Sequence, residues 1–154
     1  MSTGTASTRC VSGTCGISGS GASSPRRAFV VQPFIENIQT EGEYSLFYFG
    51  RKYSHAILKV PKVRDFRVQE EHGAAISSTS PPPALVDCAD SILRLVEPVP
   101  VYARCDIVRG PDHRFLLMEL ELIEPSMYLR MDPAAPERFA REFDRYVSSV
   151  ELHL

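Results

Sequence analysis

The sequence predicts an α+β domain, a mainly antiparallel sheet with flanking helices. Strand-like segments come in adjacent pairs joined by tight turns, as antiparallel hairpins require. Glu43 to Phe49 returns through Gly50-Arg51 to Lys52–Leu58, and Val99 to Val108 returns through Gly110-Pro111-Asp112-His113 to Arg114–Ile123. Two helical periodicities, over residues 85–96 and 139–150, interleave with these pairs without the regular strand–helix rhythm of a parallel sheet. At 154 residues and 44% hydrophobic content, the chain has enough material for one ordinary domain and too little for two.

The elements follow in order. Sixteen of residues 1–27 are Ser, Thr or Gly, with only Val11 and Ile17 as large aliphatics, so this segment is expected to be a disordered tail preceding a body over 28–154. Its acid-free, Arg-containing composition is that of an organelle transit peptide; an N-terminus under no selection is the alternative. Ala28 to Phe34 reads as a strand that stops near Pro33. Residues 61–80 are polar and read as irregular. Pro81-Pro82-Pro83 then introduces a helix with Leu85, Ala89, Ile92, Leu93 and Val96 at helical spacing. After Asp132-Pro133, Phe139, Phe143, Tyr146, Val147 and Val150 line one face of a last helix.

Charge and cysteines exclude several classes. The tail holds three arginines and no acid, leaving fourteen basic residues against all nineteen acidic ones, so the body carries about −5. Such a body is a poor partner for nucleic acid, whose phosphates need clustered Lys and Arg. No apolar run approaches the ~20 residues that span a bilayer, so no membrane partner is expected and a cytoplasmic location is. The four cysteines form no CxxC pair and no zinc-type cluster, which favours reduced structural thiols.

The most informative stretch is the second hairpin. With its centre between Asp112 and His113, Asp106 faces Glu119 and Arg104 faces Glu121. Side chains alternate with period two, so all four share one face, while Ala103, Cys105, Ile107, Met118, Leu120 and Leu122 share the other. Opposed carboxylates repel unless something positive sits between them. A divalent cation would answer that, since Mg²⁺ takes oxygen ligands from carboxylates, phosphate and water; a solvated polar face is the other reading.

A second cluster runs from Lys59 through Arg64, Arg67, Gln69, Glu70 and Glu71 to His72. It reads either as a loop that holds an anion, with Arg67 as a bidentate donor, or as solvated surface.

Taken together, these residues resemble the C-terminal half of an ATP-grasp ligase, in four segments in order. Val31-Gln32-Pro33-Phe34-Ile35 resembles the strand whose backbone reads adenine, which places Gln32, Phe34 and Ile35 at the nucleotide. Glu41 to Phe47 resembles the next strand, whose acid, here Glu43, binds the ribose. Phe66-Arg67-Val68-Gln69 through Gly73 resembles the loop that supplies a cation near the transferred phosphate or substrate carboxylate. Arg104-Cys105-Asp106 and Glu119-Leu120-Glu121 resemble the Arg-x-Asp and Glu-x-Asn pair, with Glu121 in the Asn position. Phe-Arg-Val-Gln-Glu-Glu-His-Gly and Glu-Leu-Glu-Leu-Ile-Glu-Pro-Ser are similar to the subtype that includes a ligase of cycloserine biosynthesis.

The resemblance implies ATP- and Mg²⁺- or Mn²⁺-dependent joining of a small-molecule carboxylate to an amine through an acyl phosphate. Asp106 and Glu119 would bridge metal to phosphates, Glu121 would bind a second ion, and Arg104 would stabilise the transferring phosphoryl group. Lys59 would serve the nucleotide, Arg67 would act at the phosphate or substrate, and Gln69 and Ser126 would serve the substrates. Homodimerisation is compatible with it. The family's N-terminal lobe is not recognisable in this sequence, so the chain alone is expected to bind Mg-ATP weakly and to lack turnover. A non-catalytic remnant that binds a nucleotide or a protein is the alternative.

Overall fold

The computed structural model describes residues 33–151 except 64, 66 and 69. The expected tail, most of the expected strand over 28–34, and Gln32, Arg64 and Gln69 lie outside the described residues. Pro33 and Phe34 are described and are not in a strand.

A single antiparallel sheet organises residues 35–151. Its strands are β1 (Glu43–Phe49), β2 (Lys52–Val60), β3 (Ala75–Thr79), β4 (Tyr102–Arg109) and β5 (Phe115–Glu121), in spatial order β3-β2-β1-β4-β5. Central β1 is buried on both faces, as its run Leu46-Phe47-Tyr48-Phe49 anticipates. The turn to β2 puts Gly50 (φ 53°) and Arg51 (φ 63°) in the left-handed region, the geometry that matches the twist of a two-residue hairpin. Arg51 is held there by its guanidinium, which donates to the Val96 carbonyl and to Glu97.

The two sheet faces differ. On one, α2 (Pro83–Leu93) lays Leu85, Ala89 and Leu93 onto Leu46, Tyr48, Cys105 and Ile107. Proline at its start lacks only an N–H that has no helical partner there. On the other face, α3 (Ala135–Glu151) covers one end, where Phe139 meets Phe49 and Tyr102. A short α1 (Asn37–Thr40) and a small cluster of Ile38, Val68 and Val108 with Ile35, Leu116 and Met118 cover the other end. Charged side chains occupy the gap between. Among the described residues no helix is long and apolar enough to cross a membrane.

Several expectations need correction. Residues 61–80 are not wholly irregular: Ala75–Thr79 forms edge strand β3 on β2, a polar strand whose sequence carries little apolar alternation. The four-residue α1 is too short to leave a periodic signal. β4 starts at Tyr102 rather than Val99, because Pro98 and Pro100 cannot donate to a ladder. The β4–β5 register also shifts between Asp106 and Ile107, where Glu119 pairs with Asp106 but Leu117 pairs with Ile107. This bulge leaves Met118 as the extra residue and turns it into the Val108 cluster, off the face expected for it. α3 forms over the residues expected for the last helix, with Phe143, Tyr146, Val147 and Val150 about half exposed.

Candidate active site

Strand pairing alone assembles the site. Across β2, β1 and β4 the register sets Glu43 beside Lys59 and Ser45 beside Asp106; across β4 and β5 it sets Asp106 beside Glu119 and Arg104 beside Glu121. The four charged residues of the second hairpin therefore stand opposite one another as their spacing predicts. The turn centre lies half a residue away from the position expected, and the Met118 bulge restores the register.

Arg104 is the hub. Its Nη2 lies 2.9 Å from Asp106 and 3.3 Å from Glu119, and its Nη1 lies 3.0 Å from Glu121. Asp106, only 2% exposed, also accepts from the Ser45 hydroxyl at 2.5 Å and lies 3.4 Å from Lys59 Nζ. Lys59 donates to Glu43 at 3.2 Å. Burial decreases outward, from Asp106 to Glu121 and then to Glu119, whose side chain is 56% exposed.

The electrostatics follow from this enclosure. Burial raises the Glu43 carboxyl above its ordinary value and the Asp106 carboxylate adds to the rise, with Lys59 and Arg104 only partly opposing it. Burial works against the charge of Arg104, but Asp106, Glu121 and Glu119 outweigh it and hold the guanidinium above its usual value. Four carboxylates face two cations, a formal surplus of two negative charges.

That surplus, offered by oxygen donors alone, suits a hard divalent cation. Among the described residues no three His, Cys, Asp or Glu side chains form a ready cage, because the Arg104 guanidinium fills the space between Asp106, Glu119 and Glu121. The donor set fits a cation once the guanidinium tilts away from the two glutamates. Both glutamates reach solvent, Glu119 more than Glu121.

Other expected site residues stand apart from this cluster. Arg67 is exposed and its guanidinium is taken up by Asp65 at 2.8 Å. Phe34 is exposed. Ile35 packs beside Val108, and its carbonyl accepts from the Ile38 amide in the turn that opens α1. Ser126 is exposed on the segment after β5. Two buried polar residues of this face were not anticipated. Ser45 was legible, since its period-two phase in β1 matches Glu43; His55 left no signal beyond being a polar residue in an apolar strand.

No protein-family model matches the chain. It is 32% identical over 126 residues to the cycloserine biosynthesis protein DcsG of Streptomyces lavendulae, covering 73% of this chain and 40% of that protein. The solved structure of the D-cycloserine synthetase DcsG superposes with a TM-score of 0.66 at 26% identity, over 75% of this chain and 41% of that one. A D-alanine–D-alanine ligase of Bacillus anthracis superposes more loosely, with a TM-score of 0.48 at 17% identity over 69% of this chain and 38% of that one. Fold and sequence together make the chain a member of the ATP-grasp ligase superfamily. Within it, the chain is related to the cycloserine-synthetase type and spans about two fifths of the length of those relatives.

Proposed function

We propose that this chain supplies the metal- and phosphate-handling half of an ATP-dependent carboxylate–amine ligase. The observation that carries this reading is the placement of Arg104 amid Asp106, Glu119 and Glu121, with Lys59 bridging Glu43 and Asp106. Phosphoryl transfer asks a protein chiefly for positioning and charge neutralisation, and this cluster is built of little else. When bound, Mg²⁺ or Mn²⁺ would neutralise phosphate charge and orient the transferred group.

The chain's own residues have separate tasks. Asp106, fixed by Ser45 and Lys59, and the more exposed Glu119 would hold one metal ion; Glu121 would hold a second. Arg104, released from the glutamates as they turn to metal, would face the phosphoryl group that passes to the substrate carboxylate. Lys59, at the buried end, would steady the nucleotide phosphates while Glu43 meets the ribose. Arg67 would have to leave Asp65 to reach a phosphate or carboxylate. Ser126 would meet the acceptor, whose amine displaces phosphate from the activated carboxylate. Gln32, Phe34, Ile35 and Gln69 are assigned to nucleotide and substrate by the family resemblance alone.

Paramagnetic broadening by Mn²⁺ tests the reading. Backbone signals of residues 104–106 and 119–121 should broaden first, and Glu119→Gln should remove the effect. Broadening centred elsewhere would overturn it.

A further inference from the structure

His55 lies on the same strand as Lys59 but takes no part in the charged cluster. It is 5% exposed and stacks on Phe47, ring centroids 4.4 Å apart and nearly parallel. The β1–β2 register shifts beside it: Phe47 pairs with His55 and Tyr48 with Tyr53, leaving Ser54 as the extra residue. Successive strand residues normally point to opposite faces, yet here the bulge lets the Ser54 hydroxyl lie 2.9 Å from His55 Nδ1.

His55 Nε2 lies 3.1 Å from the Met127 carbonyl oxygen. A carbonyl only accepts, so Nε2 carries the proton and Nδ1 accepts from Ser54. The Ser54 oxygen accepts in turn from Arg138 Nε at 2.9 Å. The hydrogen bonds linking Arg138, Ser54, His55 and Met127 are all satisfied with a neutral imidazole.

Met127 belongs to a strap, residues 126–131, that leaves β5 and crosses the sheet face. Tyr128 sits in the left-handed region (φ 44°), a conformation that a bulky residue keeps only when surrounding contacts fix it. The Tyr128 ring meets Phe47 at 6.2 Å, and Arg130 lies over it at 4.8 Å. Ser78 donates to the Met131 carbonyl at 2.6 Å, and Arg130 reaches both Glu70 oxygens at 2.9 Å.

We propose that His55 is a positioning residue, whose Nε2–H to the Met127 carbonyl pins the strap to the sheet and thereby holds Ser126 and, through Arg130 and Glu70, the turn at residues 70–72. The functional meaning of Ser126 and of that turn rests on the ligase reading above; the pin itself rests on the contacts just given.

A pH dependence follows. Burial holds the imidazole below its ordinary 6.5, the Met127 carbonyl and Asp132 oppose that fall, and Arg138 adds to it. Among the described residues, Asp132 and Arg138 are the charged groups that act on the ring, and β1 turns Phe47 and Phe49 toward it. The closed strap therefore prefers the neutral ring. As pH falls through 6.5, protons bind more readily where the ring is solvated, so the strap loosens in acid.

Hydrogen exchange of the full chain, corrected for intrinsic pH effects, tests this at pH above and below the imidazole range. His55→Phe keeps the stacking but lacks the N–H, and should speed exchange in residues 126–131 by about tenfold, as loss of one buried hydrogen bond implies. His55→Gln offers a non-titrating amide N–H, and should keep the strap protected at both pH values while the wild type loosens in acid. Exchange in β1 and β4 controls for folding; if His55→Phe unfolds them, the His55→Gln comparison decides. Wild-type protection in a folded His55→Phe, or equal acid responses in wild type and His55→Gln, would overturn the pin. The Mn²⁺-induced change in Tm of the wild type reads the ligase site separately: its absence with an intact pin overturns the ligase reading alone.

Discussion

Asp106 and Glu119 face each other across β4 and β5, and the Arg104 guanidinium lies between their carboxylates, 2.9 Å from one and 3.3 Å from the other. Repulsion between opposed acids is thus relieved from within the protein. The same guanidinium separates the groups that a metal would draw together, so cation binding and the Arg104 contacts compete for Glu119 and Glu121.

Removing the hub should be costly. Arg104→Met leaves Asp106 buried with Lys59 and Ser45 as its remaining polar partners. Breaking a buried pair from one side costs about 3 kcal/mol, to be read by chemical denaturation in chelator. A loss below 1 kcal/mol would show that Asp106 is adequately held without it.

Neighbouring residues of β5 should respond in opposite ways. Glu119 is the exposed end of its pair with buried Arg104, which Asp106 and Glu121 still hold, so Glu119→Gln should change metal-free stability by less than about 1 kcal/mol. Leu120, packed against the α2 side of the sheet, should cost about 2 kcal/mol on truncation to Ala, the low end for a partly buried leucine. Inverted sensitivities would mean inverted faces.

Glu43 gives the metal-free site a pH signature. Its native pKa is raised above the unfolded value of 4.5, so the folded protein binds protons more tightly and loses stability as pH rises from 4.5 through the raised value. Glu43→Gln lacks that loss. Its stability relative to wild type should therefore be greater at neutral pH than near pH 4, as measured by denaturation across that range; a flat difference would place Glu43 in water.

The cysteines should differ in reactivity. Cys105 is fully buried, and burial foremost, with Asp106 next, pushes its thiol up to about 12; Cys88 is half-buried and raised by burial alone. Alkylation mapped by mass spectrometry at pH 8 should modify Cys88 slowly and Cys105 only on unfolding. Early labelling of Cys105 would contradict the packing of β4 under α2.

The charged square was legible in the sequence because period-two alternation fixes which strand residues share a face, and Arg104, Asp106, Glu119 and Glu121 all keep phase. Met118 was not, since a bulge depends on pairing with another strand rather than on the residue itself. β3 was hidden because an exposed edge strand needs no apolar alternation. His55 was hidden because its partner Met127 lies 72 positions away and meets it only once the strap crosses the sheet, while Arg138 reaches neighbouring Ser54 from 84 positions away.

Asp106, Glu119 and Glu121 are proposed to form a divalent-cation site beside Arg104. The most direct measurement is the thermal denaturation of the chain with and without Mn²⁺, for wild type and Glu119→Gln. A ligand at a hundredfold excess over Kd that binds only the folded state adds about 2.7 kcal/mol, several degrees in Tm. The wild-type Tm should rise by that order in Mn²⁺ and the Glu119→Gln value should stay where it was. A wild-type Tm indifferent to Mn²⁺, or an equal rise in both proteins, would contradict the metal assignment.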